Sequence, residues 1–98
     1  MVGKIIIMIR NDLTTILGEE LRFLAIQTRE RLNLTQKEMG ERLHMSYSNY
    51  SDIETGQIEC CSALTAILLL NMQDDPNTFI YDVSIKFQRW YDREMQPV

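Results

Sequence analysis

Between Ser46 and Asp52 the chain reads Ser-Tyr-Ser-Asn-Tyr-Ser-Asp, a run of hydroxyls with one amide and one carboxylate. Hydroxyls donate or accept hydrogen bonds and a carboxylate accepts them, so the chemistry on offer is non-covalent recognition of polar edges. Covalent chemistry has no comparable support. His44 is the only histidine, and no nucleophile is spaced to pair with it in a Ser-His-Asp or Cys-His constellation. Cys60 and Cys61 are adjacent, and with no second spaced pair they lack the signature of a zinc site. They read as reduced thiols of a cytoplasmic protein. The expectation is a binding protein that is not an enzyme and needs no metal or cofactor.

The polar run has to be carried on a helix whose start is marked by Ser46, with Met45 and Tyr50 placed to close as a hydrophobic staple. A second start lies just before it. Thr35 with Glu38 forms a capping box, and Leu34 with Met39 a second staple. Helices over about 36–43 and 46–55, joined through Leu43-His44-Met45, make the sequence form of a helix-turn-helix at about 36–55. His44 must then tolerate a left-handed turn conformation. Tyr50 and Ile53 turn inward, leaving Ser46, Tyr47, Ser48, Ser51 and Asp52 on the outer face.

The remaining elements frame this pair. Asn11 or Asp12 is expected to cap a first helix that runs to about Leu32 and buries Leu17, Leu21, Leu24, Ala25 and Thr28 or Arg29. Asn33 suits the left-handed residue that ends it, and Gly56 does the same for the third helix. Ser62 opens a fourth helix that is apolar almost all round and so is expected at the centre of the domain. Asp74-Asp75-Pro76 breaks the chain before a fifth helix over about 77–95. The fold class is therefore all-α with five helices. One domain of 98 residues divides into an extension (1–10), a core (12–72) and a C-terminal helix (77–95). The Ile5–Ile9 run is too short for a signal h-region or a membrane span. It reads as a loosely attached strand, or as an upstream extension of a chain that begins functionally at Met8, with strand pairing in a dimer as the alternative.

From about Ile16 to Leu70 the sequence resembles the lambda-repressor-like, Cro-type family of helix-turn-helix regulators (the xenobiotic-response-element type). The resemblance rests on Arg29 in helix one, Gln36 opening helix two, and the small Gly40 where helices two and three pack closely. Tyr50, Ile53 and the Ile53-Glu54-Thr55-Gly56 ending complete it. It implies an ion pair between Arg29 and Glu54 beneath the binding surface, and a double-stranded DNA partner. Carried over by position, Tyr47, Ser48, Ser51 and Asp52 are the base readers. Ser46 supplies a helix N-terminus to a phosphate, and Gln36 and Asn49 supply side-chain contacts. Lys37 and Arg42 are the phosphate cations, with Arg10, Arg22 and Arg31 further off. No Lys or Arg occurs from Tyr47 to Gln73, and the formal charge is −4, so the expected affinity is modest and its salt dependence shallow.

The fifth helix concentrates aromatic side chains. Ile80, Val83, Phe87 and Trp90 follow three-four spacing, Tyr91 widens the stripe, and the surplus apolar surface is expected to form a homodimer interface. A homodimer would set two recognition helices about one turn of DNA apart, on a palindromic operator. The implied function is a sequence-specific transcriptional regulator, a repressor that occupies DNA. The second reading open at this point is a protein-interaction module on the same fold, antitoxin-like or regulatory, contacting a protein partner through the C-terminal helix. Its support is the acidic charge and the cation-free stretch after Gly56.

Overall fold

The computed structural model describes residues 2–95, with side chains from Asn11 onward. The chain forms α1 (Val2–Arg31), α2 (Gln36–Arg42), α3 (Tyr47–Glu54), α4 (Ala63–Asn71) and α5 (Pro76–Glu94), with no strand among the described residues. The starts of α2, α3, α4 and α5 are capped. Thr35, Ser46, Ser62 and Asp75 each accept a hydrogen bond from a backbone N–H in the first turn that follows, and Thr35 with Glu38 completes the capping box. Pro76 sits in the first turn of α5, where its missing N–H costs nothing.

Two of the ends have a common form. Asn33 (φ 55°) and His44 (φ 57°) are left-handed. Leu34 N–H donates to the Arg29 carbonyl and Asn33 N–H to that of Glu30. Met45 N–H likewise donates to Gly40 and His44 N–H to Glu41. Both are Schellman closures, which satisfy the last carbonyls of a helix and turn the chain sharply. Gly56 (φ 80°) ends α3.

The core is built around Leu21, Ala25, Met39, Leu43, Tyr50 and Leu69, contributed by α1, α2 and its cap, α3 and α4. A buried polar link ties α1 to the end of α4. Thr28 donates to the Leu24 carbonyl (2.6 Å), while the Gln73 amide donates to the Thr28 hydroxyl (2.9 Å) and the Leu69 carbonyl (2.8 Å). Val83 and Trp90 are the buried residues of α5, and Lys86 pairs with Glu20 across to α1.

Three expectations need correction. The segment before Asn11 is not a strand, because α1 is continuous from Val2. A helix already nucleated further along adds each preceding residue at the small cost of propagation, so β-branched Ile5–Ile7 can be drawn in. α4 is not central. Leu64 (66 % exposed) and Ile67 (57 %) face outward, and only Thr65 and Leu69 are fully covered. A nine-residue helix in so small a domain is covered on one side only. Finally, Val83 and Trp90 hold α5 to its own chain, so of the five residues expected to face a partner only Ile80, Phe87 and Tyr91 remain.

Candidate nucleic-acid interface

α2 and α3 are held close by what is missing from Gly40. A Cβ there would lie 3.1 Å from the Met45 carbonyl oxygen and 3.5 Å from the Tyr50 Cβ, so a larger residue fits only if the turn gives way by a few tenths of an ångström. Met39 and Tyr50 are fully buried between them. With Tyr50 and Ile53 inward, α3 shows solvent a polar face. Tyr47 (56 % exposed), Ser48 and Asn49 are open, while Ser51 and Asp52 are half-buried. Ser46 is exposed and its hydroxyl accepts from Asn49 N–H at 3.2 Å, leaving its other capacity outward.

Beneath this face Arg29 grips Glu54 with both arms of its fork. Nε donates to Oε2 at 2.6 Å and Nη2 to Oε1 at 3.1 Å, while Nη1 reaches the Leu34 carbonyl at 3.3 Å. The Gln36 amide donates to the same carboxylate at 3.0 Å. Burial pushes the Glu54 carboxyl up, but the bonds from Arg29, the polar contacts of Tyr50 and Gln36, and the Arg29 charge outweigh it and hold the group below its ordinary range. The hydrogen bond to Glu54 in turn keeps Arg29 firmly protonated. The Tyr50 hydroxyl is buried beside the pair with no partner in hydrogen-bonding geometry, and burial raises its phenol pKa. Tethering the starts of α1's closure and α2 to the last turn of α3, this cluster fixes the angle at which α3 presents Tyr47, Ser48 and Ser51.

The expected contact residues do not all gather on one side. Gln36, joined to Glu54, lies at the α2 edge of the face and keeps one amide N–H free of that bond. Lys37 and Arg42 are exposed on α2, and the Arg42 charge acts on neighbouring Glu38, whose pKa is lowered chiefly by hydrogen bonds from Thr35. Asn49 borders a cleft with His44, Ile58 and Leu64 on the α4 side. Arg31 donates to the Met72 carbonyl at 2.9 Å and so caps α4. Arg22 stacks over Phe23 at 4.9 Å and borders Gly56 and Glu59 at the end of α3. From Thr35 to Glu59 the sequence holds two cations, Lys37 and Arg42, against five carboxylates, Glu38, Glu41, Asp52, Glu54 and Glu59.

Two structural features, the Gly18 contact and the Thr28–Gln73 link, carry weight that the sequence did not signal. Gly18 is buried where α1 meets the loop after α3, and a Cβ there would fall 1.8 Å from the Glu59 carbonyl oxygen. The only mark of this in the sequence is a glycine inside a helix, a locally unfavourable choice that a close approach explains. Thr28 with Gln73 forms the α1–α4 link, and nothing in their spacing announces it. Cys60 and Cys61 are half-buried and free. Burial, with the neighbouring Glu59 charge, raises the Cys60 thiol. Burial and the Cys60 charge push Cys61 up to about 11. Both are protonated at neutral pH and weak as nucleophiles.

Among the described residues no group of His, Cys, Asp and Glu could hold a metal ion, and no helix is long and apolar enough to cross a membrane. Compared with family models, residues 16–69 match one described as a helix-turn-helix domain. Neither the curated proteins nor the solved structures return a match.

Proposed function

The chain belongs to the helix-turn-helix domain family, and from that membership we propose that it is a sequence-specific DNA-binding regulator acting as a homodimeric repressor on a palindromic operator. The observation that carries the reading is the outer face of α3: short polar side chains, uninterrupted by an apolar residue other than the Tyr47 ring, on a helix held rigidly from below. Side chains of that length read base edges when a helix enters the major groove. Tyr47, Ser48 and Ser51 take the base-reading role through their hydroxyls, and Asp52 accepts from a cytosine amino group. Lys37 and Arg42 contact phosphates from α2, Ser46 presents the α3 N-terminus to one, and Gln36 and Asn49 add contacts from either side.

One observation favours a second reading, a protein-interaction module. The excess of carboxylates over cations from Thr35 to Glu59 weakens the attraction of this region for a polyanion. Selection from a pool of random duplexes at low and at moderate salt separates the two. Enrichment of an inverted repeat supports the regulator, and no enrichment at either salt favours the protein partner.

A further inference from the structure

Two adjacent thiols, Cys60 and Cys61, have no part in the proposed recognition face. They lie in the loop between α3 and α4, half-buried and free. The chain bends at Cys60, and both side chains pack against the one core cluster; neighbours in a straight strand would point to opposite faces. Cys61 also lines a cleft of about 410 Å³ whose walls include Leu43, Met45, Ile53, Ile58 and Leu64. Among the described residues no Asp, Glu, Lys or Arg lines it.

The number of donors decides what such a pair can hold. A structural zinc ion takes four ligands, and among the described residues no group of three or more His, Cys, Asp or Glu converges. A direct disulfide is disfavoured as well. Consecutive Cα atoms lie about 3.8 Å apart across a trans peptide, short of the roughly 4.4–6.8 Å that a disulfide usually spans. A soft centre that accepts two thiols and brings its own third substituent meets neither obstacle. Trivalent arsenic carrying one organic group is such a centre, and as a bridging atom it lengthens the link between the sulfurs.

We infer that Cys60 and Cys61 form a dithiol site for a monosubstituted trivalent arsenical, with its organic group seated in the cleft beside Cys61. The hydrated ligand, R–As(OH)₂, condenses with both thiols to give R–As(S–Cys)₂ and two waters. Two As–O and two S–H bonds break, and two As–S and two O–H bonds form. Arsenic stays trivalent throughout, so no oxidant or reductant is needed. Burial keeps both thiols protonated, which slows their alkylation and oxidation. It does not block the condensation, because each thiol proton leaves with an arsenic-bound hydroxyl as water. The apolar walls of the cleft favour an aryl substituent over a methyl one.

Titration of the folded full chain with phenylarsine oxide, followed by native mass spectrometry in excess glutathione, tests it. Wild type is expected to hold one equivalent that the monothiol does not remove and that a dithiol releases. Cys60→Ser and Cys61→Ser should each weaken binding about 100-fold or more, because the second bond loses its tethered partner. Leu64→Ser changes a residue that is 66 % exposed, so the fold survives. It should weaken the phenyl arsenical several-fold and leave methylarsonous acid unchanged. Uptake only after unfolding in urea, or single-cysteine variants that bind as tightly as wild type, overturns the site. An equal effect of Leu64→Ser on both ligands, or none on either, overturns the seating of the aryl group in the cleft. Because DNA is absent, these outcomes are independent of whether α3 recognises an operator.

Discussion

The Glu54 side chain is only 7 % exposed beside Arg29, and replacing Arg29 by alanine leaves Gln36 as its remaining hydrogen-bond donor at 3.0 Å. Breaking one side of a buried pair costs about 3–5 kcal/mol, because a charge is stranded in a poor solvent. Arg29 itself is 21 % exposed, and water screening at that edge lowers the figure to about 2–3 kcal/mol. In a domain of this size that is a fall of roughly 10–20 °C in Tm. Glu54→Ala should cost less, since the stranded guanidinium can turn towards solvent. The double variant should recover about 1–2 kcal/mol relative to the sum of the singles. Urea unfolding followed by circular dichroism measures all three.

The pH dependence has a definite sign. Glu54 titrates below its ordinary value of 4.5 in the folded chain, so its contribution is complete above that value and is lost as pH falls through the folded pKa. In Arg29→Ala the burial that pushes the carboxyl up is offset only by Gln36 and Tyr50. The stability gap between wild type and variant should therefore shrink between about pH 7 and about pH 3. Two additive singles of under about 1 kcal/mol, or a gap that stays constant on acidification, would mean that Arg29 and Glu54 are not coupled in this way.

Other consequences are simpler to check. Gly18→Ala should cost about 3 kcal/mol or more, since a Cβ 1.8 Å from the Glu59 carbonyl oxygen is relieved only by moving α1 and the loop after α3 apart, while Gly40→Ala at 3.1 Å should cost about 1 kcal/mol; thermal melts of the two variants decide. His44→Gly should stabilise by about 0.5–1 kcal/mol, because the left-handed turn at φ 57° strains any residue with a Cβ. Alkylation of the native protein by iodoacetamide at neutral pH should be much slower at Cys61 than in the urea-unfolded chain, in line with a thiol pushed up to about 11; equal rates would contradict that burial.

The helix-turn-helix was legible because its signals are local. Thr35 with Glu38, Ser46, His44 and Gly56 each act on backbone groups within a few residues, and the structure places each in the expected conformation. The first helix was misjudged at its start because Asn11 and Asp12 look like caps, although mid-helix they are merely tolerated, and Thr15 donates back to the Asn11 carbonyl there at 3.1 Å. Position in the fold was less legible than helix type. Ala63–Asn71 is apolar enough to be wrapped completely, but how many neighbours surround it depends on domain size and on the course of α5, which no window of sequence contains. Gly18 and the Thr28–Gln73 link were illegible for the same reason. Their partners lie 41 and 45 residues away in the chain, and only the packed structure brings them together.

Selection from random duplexes with the full chain, repeated with the Tyr47→Ala/Ser48→Ala double variant, tests whether the outer face of α3 reads DNA. Wild type should enrich an inverted repeat, and the variant should show a relaxed preference with the same thermal unfolding. An absence of enrichment at low salt, or an unchanged preference in the variant, would contradict that reading.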